Sequence, residues 1–207
     1  MEPINGREDE IFQFLQPYMQ ECIKASCQSV QIEMEIWGNE IWDELKNVIC
    51  KILDNVTKMQ KQHKKKDIKY FVFSFMRYGI YLNKFELRID ALDESFYLDE
   101  QESAGYYSLD FLQNKYLEDY NYLCKKTKEK FIRLQNYELI DIKKWYADFY
   151  NSIIFQMIKS LTELIIEVIL ESGVGITDDF KIIYGEYMDR EIVLGTKEKY
   201  EREIFSD

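Results

Sequence analysis

The chain has 207 residues, 46% of them hydrophobic and 15% aromatic, and carries a net charge of −11. That length supports one folded domain with a core of its own, and the composition excludes a disordered chain. The acidity weighs against general affinity for phosphate backbones and favours cationic partners, and the longest apolar run, "LIIEVIL" at 164–170, falls well short of the ~20 residues of a membrane span.

Residues 8–27 read as a helix, because Ile11, Leu15, Tyr18, Met19, Cys22, Ile23 and Cys27 recur at three- and four-residue steps. Pro17 falls inside that pattern and predicts a kink or a restart. The stretch "VQIEMEI" (30–36) alternates like a strand, yet the stripe Val30, Met34, Trp37, Ile41, Leu45, Val48, Ile49, Ile52, Val56 and Met59 runs on at helical spacing. A second helix over about 30–63 is the expectation, flexed at Gly38.

At Lys69 the period changes to two. Tyr70, Val72, Ser74 and Met76 share one face and Phe71, Phe73 and Phe75 the other, so this strand should be central in its sheet. A second strand follows at 84–92, with "GIYLNK" as the joining turn. Residues 93–107 read as irregular and acidic. Helical spacing returns with Leu112, Tyr116, Tyr120, Leu123, Thr127, Phe131 and Leu134. Asp141 is the expected N-cap of a long helix over 142–172, ended by Gly173. Its polar stripe is narrow, which predicts near-complete burial of Leu161, Leu164, Ile165 and Val168. "FKIIYG" (180–185) and "REIVLG" (190–195) read as a second hairpin, followed by a charged tail. The order implies an α+β fold in a single domain over 1–207. About four long helices would pack on an antiparallel sheet built from two β-hairpins.

Two charged stretches stand out. "KMQKQHKKKDIK" (58–69) sets six lysines against one aspartate, a local charge of +5. It reads as the solvated C-terminal turns of the second helix, where cations oppose the helix dipole and guard the aromatic strand that follows. It has no arginine for bidentate reading of bases, so no nucleic-acid role is assigned to it. "DALDESFYLDEQE" (90–102) holds six acids and no base, with aromatic residues among them. Its spacing lacks the glycine and terminal glutamate of a calcium loop. Rigid strands with irregular flanks are common places for contact residues. Asp90, Asp93, Glu94, Phe96, Tyr97, Asp99 and Glu100 are therefore the candidate surface for a basic protein partner, the acids steering and the rings anchoring.

Motifs for catalysis are missing. The single histidine, His63, lies in the lysine tract, which removes histidine-based triads and zinc sites of HExxH type. Cys22, Cys27, Cys50 and Cys124 form no CxxC pair, and "MEPINGREDE" has no secretory h-region, so a reducing cytoplasm is expected. "GVG" (173–175) follows a helix instead of opening one, the wrong dipole end for phosphate. The isoleucine-, lysine- and asparagine-rich composition hints at a low-GC bacterial source. The resulting expectation is a non-enzymatic cytoplasmic protein that binds another protein. An adaptor, an inhibitor, or a toxin-neutralising or defence accessory protein would fit, with no cofactor, no metal, no nucleic acid and no membrane. Two alternatives are a small-molecule sensor with an aromatic pocket between hairpin and long helix, and a carboxylate-metal enzyme using a site such as "DIK" (141–143).

Overall fold

The computed structural model describes residues 6–204. In chain order the elements are α1 (Arg7–Lys61), β1 (Ile68–Phe75), α2 (Tyr78–Leu82), β2 (Glu86–Leu92), a 3-10 turn (Phe96–Leu98), β3 (Ala104–Ser108), α3 (Asp110–Lys130), α4 (Asn136–Ser160), α5 (Thr162–Glu171), β4 (Ile176–Glu186), β5 (Glu191–Thr196) and α6 (Lys197–Ile204). They form two compact units. Of the described residues, unit 1 holds 6–37, 78–85 and 109–153, and unit 2 holds 38–77, 86–108 and 154–204. Helices α1 and α4 each contribute residues to both units.

The α+β class stands, with two corrections to its sheet. The five strands lie in the order β3-β2-β1-β4-β5. β1 is central as its two-faced apolar pattern predicts, but it runs parallel to β4, so the sheet is mixed and not an antiparallel pair of hairpins. The start of the pairing is held by Gln60 near the end of α1. Its amide donates to the Gly175 carbonyl at 2.9 Å and accepts from the Gly175 N–H at 2.9 Å, while Ile68 N–H donates to the same carbonyl. β4 starts beside the start of β1 and points the same way. A Cβ at Gly175 would lie 2.3 Å from Asp67 Oδ1, so a larger residue there would displace the Asp67 side chain. The second correction concerns Ala104–Ser108, expected to be irregular, which pairs with β2 as an edge strand.

Three helix expectations also change. α1 is one helix of 55 residues that continues through Pro17. α4 begins at Asn136, and Asp141 is an interior residue paired with Lys144 at 3.1 Å; Glu138 instead accepts from the Gln135 N–H at 2.6 Å and caps the first turn. The helix expected over 142–172 is interrupted at Leu161 (φ −93°, ψ 0°), which separates α4 from α5. α5 then buries Ile165, Ile166, Val168 and Ile169 and leaves Leu164 43% exposed. Between β1 and β2 the chain forms the short helix α2, where a Cβ on Gly79 would lie 2.0 Å from the Lys84 carbonyl oxygen.

In unit 2 the inner face of the sheet carries Phe71, Phe73, Leu87, Ile89 and Ile182, all fully buried. The C-terminal half of α1 covers β3 there: Ile52 and Val48 meet the space a side chain at Gly105 would need, and Tyr107 OH donates to the Ile41 carbonyl at 3.3 Å. In unit 1 the core is built from tyrosines around one carboxylate. Asp119 Oδ2 accepts from Ser26 Oγ at 2.5 Å, Tyr146 OH at 2.6 Å and Tyr150 OH at 3.1 Å. Lys115 lies 3.3 Å from its other oxygen. This network satisfies three buried hydroxyls at once and fixes α1, α3 and α4 in one register.

Candidate functional site

The acidic stretch and the lysine tract, which the sequence separates by some thirty residues, meet in unit 2 through two ion pairs. α1 ends at Lys61, and His63 takes a left-handed conformation (φ 54°), so the chain reverses before Lys64. Lys64, Lys65 and Lys66 are therefore outside the helix, which corrects the dipole reading for these three. Lys65 is buried. Its Nζ donates to Asp99 Oδ2 at 2.5 Å and to the Gln101 carbonyl at 2.6 Å, and the two charged side chains are 0% and 2% exposed. Lys66 pairs with Glu94 at 2.8 Å in solvent, a contact that raises the lysine pKa and lowers that of the glutamate.

The candidate residues thus divide by environment. Asp90 is buried and holds the Arg88 guanidinium at 2.8–3.0 Å; Arg88 also reaches Glu102 at 2.7 Å and lies 4.9 Å over the Tyr187 ring. Asp93 is buried and accepts from the Ser95 N–H at 2.7 Å, closing a local turn. Asp99 accepts, besides Lys65, the N–H groups of Asp93 and Gln101 at 3.1 and 2.9 Å. Phe96 and Tyr97 fold back onto Val72, Leu92 and Ile183 on the outer sheet face. Phe96 meets Tyr70 edge-on at 4.9 Å, and Tyr97 meets Tyr187 at 5.7 Å. Only Glu94 and Glu100 of the seven are exposed. The structure brings these residues together as a strap over the outer sheet face, with Asp90, Asp93 and Asp99 bonded within it and Glu94 and Glu100 in solvent.

Beneath the strap, the β-sheet register sets Tyr106, Arg88, Ser74, Gly185 and Glu191 in one cross-strand row. Ser74 Oγ, Tyr97 OH and Glu191 Oε1 are buried there without a hydrogen-bond partner of ordinary geometry among the described residues. Burial is the largest cause of two shifts: the Tyr97 hydroxyl is pushed up to about 12, and the Glu191 carboxyl rises from its ordinary value. On the inner sheet face the Phe71 and Phe73 rings are buried and meet edge-on at 5.6 Å.

A different surface combines acids with exposed apolar side chains. In the middle of α1, Ile32, Ile36 and Trp37 are 55%, 61% and 55% exposed. Glu33 and Glu35 stand between them, and the chain has no basic residue between Lys24 and Lys46. Three large apolar side chains in less than two helical turns, each more than half in water, form a local cluster and not scattered singles. Trp37 was expected in the buried stripe. A signal for this surface was present in "VQIEMEI": apolar residues at 30, 32, 34, 36 and 37 subtend more than one helix face, so a helix cannot bury them all against one neighbour.

Comparison with protein families, with curated proteins and with solved structures finds no match for this chain. Among the described residues no helix is long and apolar enough to cross a membrane.

Proposed function

We propose that this protein works by binding another protein, and that the middle of α1, not the strap at 90–102, is the surface that meets a basic partner. The observation that carries the reading is the exposure of Ile32, Ile36 and Trp37 among acids that are unopposed by any nearby base in the sequence. Apolar side chains supply the desolvated centre of a contact, and the carboxylates steer a cationic partner and disfavour an acidic one. A second copy of the chain fits poorly, because an isologous interface would present this segment, acidic and without a base from 25 to 45, to itself. The proposal includes a non-enzymatic role and a reducing compartment, the latter supported by four cysteines that stand unbridged.

The test is photo-crosslinking. A photoreactive phenylalanine analogue placed at Ile36 should capture a specific basic protein in extract of the source cell. The same analogue at Glu100, on the strap, should not. Capture from Glu100 but not from Ile36 would return the contact to the acidic stretch and refute the reassignment.

A further inference from the structure

Resting on the protein-binding reading above, we infer the form of the partner: a basic amphipathic helix that lies along α1, its apolar seam on Ile32 and Ile36 and its cations opposite Glu33 and Glu35. The spacing along α1 carries this. Leu15, Cys22, Ser29 and Ile36 lie seven residues apart, and Ile32 lies four before Ile36. Taking Ile36 as an a position and Ile32 as a d position of a heptad, the two flanking positions e and g are Glu33 and Glu35. Both flanks of the seam are therefore acidic, and both apolar seam positions are exposed.

The upstream part of the same stripe is already covered by helices. Leu15 and Cys22 are buried in unit 1, and Ser26, one turn beyond Cys22, donates to Asp119 of α3, which Tyr146 and Tyr150 of α4 also contact. Past Ser26 the a positions lose that cover, Ser29 being half-buried and Ile36 exposed, while the d positions Ala25 and Ile32 are both exposed. A helix is the element that continues this packing, since knobs at seven-residue spacing fit the grooves of another helix and match a strand poorly.

The flanks set the sign of the partner. In a paired helix, residues at its own e and g positions face Glu33 and Glu35, so lysine or arginine is favoured there and glutamate repelled. Trp37 adds a preference between the two cations. It lies four residues beyond Glu33 on the same flank, so a guanidinium that pairs with Glu33 can also lie over the exposed indole. Arginine exploits both contacts through its planar fork, which the lysine ammonium lacks.

The test uses three labelled synthetic peptides of equal length against the full chain, read by fluorescence anisotropy and by induced helical circular dichroism. The first has a leucine–isoleucine heptad seam with arginine at the flanks. The second has the same composition scrambled so that no seam exists. The third has the seam with glutamate flanks. The first should bind and gain helicity, with affinity at least about tenfold above the other two, a difference of about 1.4 kcal/mol. Ile36→Glu, at a solvent-exposed position, should abolish that advantage with the fold intact by near-ultraviolet circular dichroism. The double reversal Glu33→Lys/Glu35→Lys should transfer preference to the glutamate-flanked peptide. If the scrambled basic peptide binds as well as the seamed one and Ile36→Glu still weakens both, the helical form of the partner is refuted while a basic partner at α1 stands. If neither basic peptide exceeds the acidic one, or if Ile36→Glu changes nothing, both the inference and the reading beneath it fall. A dimer of the chain that Ile36→Glu dissociates, seen by sedimentation, would also overturn it.

Discussion

Replacing Lys65 by methionine tests the joining of the two charged stretches. The substitution keeps most of the side-chain volume and removes only the ammonium, so packing changes little. Asp99 would remain with its side chain 2% exposed and its nearest cation gone. Breaking a buried pair in this way costs about 3–5 kcal/mol, because the orphaned carboxylate has neither water nor a counter-charge. The Gln101 carbonyl would also lose the donor that lies 2.6 Å away. The double variant Lys65→Met/Asp99→Leu removes both charges and should recover part of the loss. It should not recover all, since the N–H groups of Asp93 and Gln101 lose their acceptor, at about 1–3 kcal/mol for a buried group left unmade. Lys66→Gln serves as the control. Its partner Glu94 is 64% exposed, so the change should stay within about 1 kcal/mol. Urea unfolding followed by circular dichroism gives all three values from the shift in midpoint at constant slope. A loss below about 1 kcal/mol for Lys65→Met would mean that the pair is solvated, like ordinary surface pairs, and that the strap is not anchored from within.

Further outcomes follow from the same packing. Leu164→Ala should cost under about 1 kcal/mol and Ile165→Ala about 2–5 kcal/mol in the same assay, because only the second opens a cavity. Glu191, whose carboxyl pKa is raised by burial, contributes stability that is fully present below its unfolded value near 4.5 and is lost as pH rises through the folded value. Glu191→Gln should therefore flatten the pH dependence just above 4.5, and an unchanged slope in a pH series of unfolding midpoints would remove Glu191 from that row. Thiol labelling at pH 8 should modify exposed Cys27 first. It should spare Cys22, which burial pushes up to about 11, and Cys124, raised by the same cause, until the protein unfolds.

The sequence carried the local periods and missed what depends on distant partners. The two-faced aromatic pattern of residues 70–76 is enough to make β1 central, because both of its faces must be covered. The parallel pairing with β4 joins segments more than a hundred residues apart, as does the Gln60–Gly175 contact beside it at 115 residues, and no periodicity encodes either. β3 was hidden for a related reason. "AGYYS" is short and follows six acids, and the charges suggested a solvated loop until Arg88, Lys65 and Lys66 supplied their counter-ions. Read separately, a lysine tract and an acidic stretch each look like an interaction surface; in the fold they are joined by two ion pairs, Lys65–Asp99 and Lys66–Glu94, while Arg88 holds Asp90 and Glu102. Leu164 illustrates a subtler limit. The apolar arc of residues 153–169 is wider than the face that packing covers, so Leu164, on its edge, stays in water while Ile165 and Val168 are buried. The apolar excess of residues 30–37 was legible in principle, because it exceeds what one buried helix face accommodates.

The most direct test of the central claim is the affinity of the captured partner for three forms of the chain, measured by calorimetry at two salt concentrations. The account predicts that Ile36→Glu weakens binding by at least about a hundredfold, as for a central apolar contact, while Glu100→Lys on the strap leaves it within about twofold. Binding to the wild type should also weaken with salt, since Glu33 and Glu35 steer the encounter. Full affinity for the Ile36→Glu form, with loss on changing Glu100, would contradict it.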